Sequence, residues 1–556
     1  MKELLWHGLK EALALEIGVP VGLIEEPNRE GQGDFALPCF ELAKQQKRAP
    51  QEIAKEIEEK HKTPAFFSEV KAQGPYVNFY VDWIVFGQIL LDKIDSKFGT
   101  KLCKGKVLIE HTSINPNASP HVGRSRNAII GDTLTRILRY MGYNVESHYY
   151  VNDVGKQIAL MVYYSRMKKI KKLDFSSLLK LYIEANEWQA QNPGEEEKVF
   201  KLLWNYESGN KKLQTEFHRF VDVALKGQIK VLGELNISYD KFDFESDYLR
   251  GKTIPAILKK LESTGKLFVD RYGRKVLDLA GFNIAMESPV LVLTRRDGTS
   301  LYQLRDIAYT LDKVKKAKDL NILILGEDQK LYFQQLSSAL KILGYESPAV
   351  VHYSFILLPS GKMSTRTGNV VLLEDFMGEV KEKAKEEVKQ RYPELKEKEL
   401  NRRASAISIA AVRYSIIKVA PEKNVLFKLD EALKFEGDTG PYMLYTYARA
   451  NSVLEKAKKW KTYSAAKLED PRERFLLRLL AQYTSVLEKS REELRPHYLA
   501  SYTRELADGF NTFYQVLPVL KAEKGLKEAR LQLVKAVRDV LGSAMMLLGF
   551  TLLDEM

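Results

Sequence analysis

One short segment carries residue types that suit chemistry on a phosphate chain. His121-Val-Gly-Arg124 follows a strand-like apolar run, residues 106–109, which ends at Glu110. A histidine one turn from a second cation, with Gly123 allowing close backbone approach, suits a triphosphate whose negative charge grows during reaction. Taken alone, the four residues fit equally a β-α-β unit with a surface histidine.

A second segment, residues 361–369, has related chemistry. Lys362 and Arg366 flank the hydroxyls of Ser364 and Thr365 in a loop bounded by glycines. A loop of this kind is able to close on a phosphate chain. By itself it is also typical of a surface turn, so its interpretation depends on whether the fold brings it to His121.

The elements that position these segments follow from hydrophobic periodicity. Apolar residues after His121 recur at helical spacing as far as Met141, and Gly142 is the expected cap. A second strand-like run, residues 148–151, closes a β-α-β unit. Such a unit places the helix N-terminus at the carboxyl edge of a parallel sheet, where anions bind.

The remainder of the chain predicts a multidomain protein. Strand patterns recur at 290–293, 321–325 and 350–358, with a helix at 329–343. We interpret these as the second half of a doubly wound, Rossmann-type parallel sheet, split by a charged helical insertion. The predicted units are a small N-terminal α/β domain at 1–98, a catalytic domain at 99–403 with its insertion at about 164–290, and a C-terminal α-helical bundle at 404–556.

Composition narrows the function classes. A net charge of +13 and a pI near 9.2 favour a polyanionic partner such as nucleic acid. Two cysteines, Cys39 and Cys103, exclude a disulfide framework and a cysteine-rich zinc site, and they suit a reducing cytosol. The acidic residues near the N-terminus are atypical of a targeting peptide, and no apolar run approaches membrane-spanning length.

The two phosphate segments together resemble the HIGH and KMSKS signatures of class I aminoacyl-tRNA synthetases, and further motifs resemble those of the arginyl-tRNA synthetases. The departures are Arg124 at the final histidine of the first signature and Thr365 at the last lysine of the second. The further motifs are Leu301-Tyr-Gln-Leu-Arg-Asp-Ile-Ala-Tyr309, Gly326-Glu-Asp-Gln329, Asp438-Thr-Gly-Pro-Tyr442, Tyr447-Ala-Arg449, Gly33-Asp-Phe-Ala-Leu-Pro38 and Gly74-Pro-Tyr-Val-Asn-Phe79.

The resemblance implies ATP-dependent attachment of L-arginine to tRNA(Arg) through arginyl-adenylate. It assigns catalysis to His121, Gly123, Arg124, Lys362 and Ser364. ATP would be bound by these residues with Met363, Arg366 and His352. Arginine would be bound by Glu110, Asn115, Tyr302, Asp306 and Gln329. A guanidinium is planar and offers parallel donors, so a carboxylate is its natural complement. Without the resemblance, Glu110 would be read as a solvated strand end and Asp306 as a helix cap.

The resemblance also implies partners. The C-terminal bundle would bind the anticodon and the N-terminal domain the tRNA elbow. The expected tRNA contacts are Asn78, Phe79, Tyr442, Arg449, Arg495, Tyr498 and Tyr502. Mg²⁺ would accompany ATP, and we expect no structural metal. The protein is expected to be a cytoplasmic monomer without a membrane partner.

Three alternatives remain open at the level of sequence. A catalytically silent tRNA-binding relative would keep the domains and lose the chemistry. Another class I synthetase would need different pocket residues: zinc ligands if its substrate were cysteine, or cationic side chains if its substrate were glutamate. A small-molecule adenylyltransferase with a HIGH-like site would not need the terminal domains or the basic balance.

Overall fold

The computed structural model describes residues 6–27, 32–60, 63–117, 119–170, 172–249, 251–317, 319–358, 361–362, 371–457, 460 and 462–556, with backbone alone at 358 and 361–362. Within these ranges no helix is both long enough and apolar enough to cross a membrane.

The N-terminal region is a small α/β domain, as predicted. Its elements are α1 (Trp6–Ile17), β1 (Phe35–Pro38), α2 (Phe40–Gln46), α3 (Pro50–Lys60), β2 (Phe67–Gln73), β3 (Tyr76–Val81) and α4 (Val85–Lys93). The three strands form an antiparallel sheet in the order β1-β3-β2. Trp6 stacks on Phe35 with ring centroids 4.5 Å apart, which places the aromatic core between α1 and the sheet.

The predicted β-α-β unit is present as β4 (Lys106–Glu110), α5 (Val122–Met141) and β5 (Asn144–Val151), with the strands parallel. Gly142 ends α5 at φ 106°, and a Cβ there would lie 2.6 Å from the carbonyl oxygen of Cys103. Only glycine tolerates both conditions, so the sharp turn back to the sheet depends on this residue.

The helical insertion follows, but it contains a strand of the main sheet. Its elements are α6 (Lys156–Met167), α7 (Phe175–Gln191), α8 (Glu196–Glu207), α9 (Lys211–Gly233) and β6 (Lys241–Phe244). Strand β6 pairs in parallel with β5. The sequence prediction missed β6 because two of its four residues, Lys241 and Asp243, are charged, whereas strands of parallel sheets are usually continuous apolar runs.

The chain then forms a separate three-stranded antiparallel sheet. Its elements are α10 (Thr253–Ser263), β7 (Leu267–Val269), β8 (Lys275–Asp278) and β9 (Val290–Val292). The prediction that the strand near residue 290 resumes the parallel sheet is therefore wrong. Because β9 pairs antiparallel with β8, it belongs to a local meander.

The second half of the Rossmann-type unit has the strands β10 (Leu320–Gly326) and β11 (Ala349–Tyr353). Its helices are α11 (Tyr302–Lys316) and α12 (Lys330–Ile342). The five parallel strands lie in the order β11-β10-β4-β5-β6. The single strand predicted for 350–358 is divided into β11 and β12 (Ile356–Leu358), which belong to different sheets. Strand β12 pairs with β13 (Gly361–Lys362) and, further along the chain, with β14 (Val425–Leu426).

The C-terminal region is helical, as predicted. Its helices are α13 (Leu373–Arg391), α14 (Glu397–Ile417), α15 (Leu429–Ala432), α16 (Gly440–Lys456), α17 (Pro471–Glu492), α18 (His497–Val516) and α19 (Leu526–Leu547). The fully buried guanidinium of Arg413 on α14 fixes this bundle to the catalytic domain. Its Nη2 lies 2.6 Å from Asp132 on α5, and its Nε donates to the carbonyl of Leu548 at 2.6 Å.

Candidate active site

The sheet edge that should hold anions is formed where β4 and β10 end. Strands β5 and β6 lie on one side of β4, and β10 and β11 lie on the other, so the strand order reverses at β4. The crevice between β4 and β10 is therefore a topological switch point. Glu110 ends β4 and Gly326 ends β10 at this edge. Helix α5 begins above it at His121, which is the N-cap residue.

His121 is half-buried at this helix end, with its Nδ1 lacking a hydrogen-bond partner among the described residues. Burial, together with the nearby Arg124 guanidinium, lowers the pKa of His121 to about 4. In the free protein the imidazole is therefore neutral at pH 7. A phosphate brought to the N-terminal end of α5 would reverse part of this shift, because a nearby anion favours the charged imidazolium.

The second phosphate segment is anchored beside His121 at its far end. The backbone N–H of Val122 donates to the carbonyl of Val371 at 3.0 Å, and that of Leu373 donates to the carbonyl of Pro120 at 2.8 Å. At its near end, Lys362 pairs with Leu357 of β12. The side chain of Lys362 and all of Met363, Ser364 and Arg366 lie outside the described residues.

Arg126, two residues beyond the first motif, ties the near end of this segment to α5. Its Nη1 donates to the carbonyl of Ser354 at 2.8 Å, and its Nη2 donates to that of Ala420 at 2.9 Å. These contacts explain why the predicted long strand divides after Tyr353. Sequence reasoning missed this residue because its carbonyl partners lie 228 and 294 residues away.

The two predicted residues of the second half-sheet lie near the crevice. His352 is on β11, paired with Leu325 of β10, and burial lowers the pKa of its imidazole. Its ring lies edge-on to Phe333 at a centroid distance of 5.9 Å. Gln329 is exposed at the start of α12, just beyond the end of β10.

An acidic pocket lies beside this crevice, centred on Asp306 of α11. The hydroxyl of Tyr332 donates to Asp306, and no basic side chain of the described chain forms an ion pair with it. Burial raises the pKa of Asp306 to about 6, and the charge of Glu110 adds to the shift. A carboxylate held in this way lacks a counter-ion, which is the condition a cationic ligand would relieve.

Glu110 itself is already paired. The ammonium of Lys313 forms an ion pair with its carboxylate and also lies 4.3 Å from the centroid of the Tyr309 ring. Both members of the pair are buried. The sequence analysis assigned Glu110 to arginine binding. In the structure its ionic partner is Lys313, and its charge helps to raise the pKa of Asp306.

Glu245 is an acidic pocket residue that the sequence analysis missed. It directly follows β6, is buried, and pairs with Arg305 at 2.5 Å. Burial raises the pKa of Glu245 to about 7, with Asp306 contributing to the shift. Recognition of β6 as a sheet strand would have identified this residue, because a polar residue at the carboxyl end of such a strand is a site candidate.

A cavity of about 320 Å³ adjoins this pocket, within the usual range for small-molecule sites. Asn115, Tyr302 and Arg305 are among its lining residues. Tyr302 is 50% exposed, and its ring lies 5.6 Å from that of Tyr332, which binds Asp306. The predicted residues Asn115, Tyr302 and Asp306 are thus brought together.

The residues predicted to contact RNA divide into two groups. Tyr442 and Arg449 line a cavity of about 1060 Å³ between α13, α16 and α18. The Arg449 guanidinium lies 4.7 Å from the centroid of the Tyr445 ring. Arg495 pairs with Glu422 at 3.2 Å, and Tyr498 lies under the ammonium of Lys489; both side chains are partly exposed.

The other group is buried. Phe79 has no exposed surface, and the amide of Asn78 donates to Gln73 at 3.1 Å. The hydroxyl of Tyr502 donates to the carbonyl of Leu479 at 2.9 Å inside the bundle. In this conformation these three side chains are core residues and offer no face on which a base could stack.

Among the described residues, no group of three or more histidine, cysteine, aspartate or glutamate side chains is placed to hold a metal ion.

Known proteins resemble the chain along its whole length. Residues 86–428 match the family described as tRNA synthetases class I (R), catalytic domain. Residues 443–556 match the DALR anticodon binding domain, and residues 1–81 match the arginyl tRNA synthetase N terminal domain.

Individual relatives agree with these matches. The arginine--tRNA ligase of Methanocella arvoryzae is 41% identical, covering 93% of this chain and 92% of its own length. That of Methanocaldococcus jannaschii is 38% identical, with coverages of 98% and 97%. Among solved structures, Thermus thermophilus arginyl-tRNA synthetase superposes with a TM-score of 0.85 at 28% identity, covering 99% of each chain.

Proposed function

The chain belongs to the arginyl-tRNA synthetases of class I, and from this premise we infer that it attaches L-arginine to tRNA(Arg) at the expense of ATP. The observation that carries the specificity is the acidic pocket around Asp306, which lies beside the sheet edge where α5 begins. The reaction has two steps. The arginine carboxylate attacks the α-phosphorus of ATP and expels pyrophosphate. The terminal 2′-hydroxyl of the tRNA then attacks the carbonyl carbon of arginyl-adenylate and expels AMP.

No protein nucleophile is required, because the substrate carboxylate is already nucleophilic. The protein must align the reactants and stabilise the charge that develops on the phosphates. We propose that His121, Arg124 and the amide of Gly123 stabilise this charge from the N-terminal end of α5. Lys362 and Ser364 would reach it from the second segment, with Met363, Arg366 and His352 completing the nucleotide site.

Magnesium is proposed to arrive with ATP. Mg²⁺ retains several waters and binds nucleotides mainly through phosphate oxygens. The chemistry at the start of α5 is compatible with this, since the described groups there are an imidazole, a guanidinium and backbone amides. When bound, the ion would add to the neutralisation of phosphate charge.

Arginine is selected by charge and by shape. Glu110 with Lys313 and Glu245 with Arg305 form two balanced pairs, which leaves Asp306 as the carboxylate in excess. A guanidinium can donate two parallel hydrogen bonds to such a carboxylate, whereas the compact ammonium of lysine leaves acceptor positions unpaired. We propose that Tyr302 covers the side chain, and that Asn115 and Gln329 contact the α-amino and carboxylate groups.

Arginine binding should weaken in acid. The pKa of Asp306, raised by burial to about 6, would fall when a guanidinium binds, so binding at lower pH must release a proton. The dissociation constant for arginine, measured by calorimetry, is expected to rise about tenfold per pH unit below about pH 6. In Asp306→Asn this pH dependence of the dissociation constant should disappear below pH 6. A pH dependence that persists near pH 7 in this variant would come from titration of Glu245. A pH-independent constant in the wild-type protein would contradict the assignment.

We propose that the N-terminal unit (1–98) and the bundle (404–556), which pack against each other, bind tRNA beside the catalytic unit (99–403). For the bundle, Tyr442, Arg449, Arg495 and Tyr498 support this because they combine cations with partly exposed aromatic side chains. We further propose that the protein acts as a monomer in the cytoplasm.

Pyrophosphate exchange with each amino acid, with and without tRNA, tests the function. We expect arginine to be the only amino acid that supports exchange. Family membership leads us to expect that this exchange also requires tRNA. Exchange with another amino acid would indicate a different synthetase, and exchange with a non-amino-acid substrate would indicate an adenylyltransferase. tRNA binding without exchange would identify a catalytically silent relative.

A further inference from the structure

A buried asparagine on α5 bridges the two strands that border the crevice. Asn127 is only 5% exposed. Its Oδ1 accepts a hydrogen bond from the backbone N–H of Thr112 at 2.5 Å, and its Nδ2 donates to the carbonyl of Ile324 at 2.9 Å. Thr112 lies two residues beyond the end of β4, and Ile324 lies two residues before the end of β10. One side chain of the helix that begins at His121 therefore contacts both walls of the crevice.

The direction of the backbone groups at the end of β4 follows from its other neighbour. The N–H of His111 points toward β5, since it donates to the carbonyl of His148 at 3.2 Å. Backbone groups of successive residues in a central parallel strand face alternate neighbours. The N–H of Thr112 therefore faces β10.

The Asn127 carboxamide occupies the place of a missing sheet hydrogen bond. Strands β4 and β10 pair in parallel as far as Glu110 and Leu323. If the ladder continued by one more bond, the N–H of Thr112 would donate to the carbonyl of Ile324. Instead the carboxamide accepts from that N–H and donates to that carbonyl. The two strands are thus held apart at this point by the width of one amide group.

The segment that follows the gap has a strained backbone. Thr112 has φ 75° and Ser113 has φ 45°, in the left-handed region that is costly for a β-branched residue. The Tyr239 hydroxyl donates to Oγ1 of Thr112 at 2.7 Å. Strain of this kind persists only where the surroundings enforce it. Asn127 and Tyr239 therefore hold in one conformation the segment that leads to Asn115.

Helix α5 lies directly against this segment. A Cβ on Gly131, one turn beyond Asn127, would lie 2.3 Å from Cγ of His111. The His111 ring is itself buried, with its Nε2 3.0 Å from Oγ of Ser147. Because the helix and the ring are already in close contact, a change in the length of the side chain at position 127 must be taken up by the strand ends.

The gap lies between the groups proposed for the two substrates. Beyond β4 the chain leads to Asn115, proposed for arginine, while β10 pairs with β11, which carries His352, proposed for ATP. For the first step to occur, the arginine carboxylate must approach the α-phosphorus to about 3–3.5 Å. The separation of β4 and β10 therefore governs the separation of the reacting atoms.

We propose that Asn127 is a positioning residue, which sets the width of the crevice between β4 and β10 and thereby the distance between the arginine carboxylate and the α-phosphorus of ATP. This inference rests on the proposed function. Asn127 acts through the strand ends that cover it, and it touches neither substrate. Without its carboxamide, the N–H of Thr112 can donate directly to the carbonyl of Ile324, and the crevice narrows.

Asn127→Ala should slow the formation of arginyl-adenylate about a hundredfold, because a misplacement of about 1 Å costs this much in a positioned reaction. The dissociation constants of L-arginine and of a non-hydrolysable ATP analogue should change less than about threefold. Single-turnover kinetics at saturating substrates, with tRNA present, measure the rate, and calorimetry measures the two constants. A role limited to folding would not separate the rate from the affinities in this way.

Asn127→Gln separates spacing from the satisfaction of polar groups. It keeps both hydrogen-bonding groups and adds one methylene, so it widens the crevice where the alanine variant narrows it. We expect adenylate formation to slow at least about tenfold, with both dissociation constants close to those of the wild-type protein. If the carboxamide only satisfied two backbone groups, the glutamine variant would react at the wild-type rate.

Asn451→Ala is the matched control. Asn451 is 8% exposed on α16, and its Nδ2 lies 3.2 Å from Oε1 of Glu455 and 3.4 Å from the carbonyl of Asp554. This variant likewise removes a buried amide with two acceptors. It should lower the temperature of thermal unfolding without slowing adenylate formation.

A crystal structure of Asn127→Ala measures the spacing directly. We expect the backbone nitrogen of Thr112 and the carbonyl oxygen of Ile324 to lie about 2.9 Å apart, as in an ordinary ladder bond. Wild-type spacing in this variant would overturn the proposal, and so would a slow rate explained entirely by weaker binding of one substrate.

The failure of this proposal can be told from that of the proposed function. If the wild-type protein formed no arginyl-adenylate, the proposed function would be wrong. If the wild-type protein formed it and both Asn127 variants did so at the wild-type rate, the positioning role alone would be overturned.

Discussion

Replacing Asp306 by asparagine is expected to raise KM for L-arginine by about a hundred- to a thousandfold, with little change in KM for ATP. Asparagine keeps the shape of the side chain and the contact with Tyr332 but removes the carboxylate that has no counter-ion. A guanidinium entering the pocket would then be buried without an ionic partner, which is costly. Steady-state arginylation with each substrate varied in turn gives the two constants.

A suitable control lies on the same helix. Asp312 is also an aspartate on α11, but it is paired with Lys316 at 2.6 Å and does not line the substrate cavity. Asp312→Asn should leave KM for arginine close to its wild-type value. If Asp306→Asn raised both KM values by the same factor, a general disturbance of the site would explain it, and the guanidinium assignment would be lost.

Lys362→Ala is expected to slow adenylate formation by about a hundred- to a thousandfold while leaving the dissociation constant for tRNA nearly unchanged. The reason is that a cation aimed at the departing pyrophosphate acts on charge that develops only in the transition state. Single-turnover formation of arginyl-adenylate measures the first quantity, and equilibrium binding of labelled tRNA measures the second.

Lys341→Ala supplies the comparison for this variant, because Lys341 is an exposed lysine at the far end of α12 from the site. It should be indistinguishable from wild type in both assays. Normal adenylate formation in Lys362→Ala together with lost tRNA binding would reverse the proposed role and make Lys362 an RNA contact.

The parts of the fold that sequence predicts well are those with strong local periodicity. The β4-α5-β5 unit, α12 and the C-terminal helices are found where apolar spacing placed them. Strand β6 was missed because charged residues are not typical of a buried parallel strand. In the folded protein Asp243 is stabilised there by its contact with His148 on the neighbouring strand. The break between β11 and β12 depends on a guanidinium 228 residues away, which no local pattern can indicate.

The same distinction applies to the site. His121 and Asp306 lie in segments whose residue types fit their proposed chemistry, and the fold places both near the carboxyl edge of the sheet. The pairing of Glu110 with Lys313 joins residues 203 positions apart, so sequence spacing gave no sign that Glu110 already has an ionic partner. Glu245 was hidden with β6, since its significance comes from the strand that precedes it.

Periodicity alone also does not separate an aromatic core from an aromatic surface. Tyr442 and Tyr502 both lie in helical stripes of the bundle, yet Tyr442 lines a large cavity and Tyr502 is buried. Phe79 follows the same rule in the N-terminal sheet, where alternation predicts a strand but does not identify the face that a partner would use.

The central claim is that two distant segments bind one ATP while Asp306 binds the guanidinium beside it. A crystal structure of the protein with L-arginine and a non-hydrolysable ATP analogue tests this most directly. We predict that the His121 imidazole and the Lys362 ammonium both lie about 3 Å from oxygens of the same triphosphate, with the guanidinium donating to Asp306. A triphosphate in contact with only one of the two segments, or a guanidinium bound away from Asp306, would contradict the account.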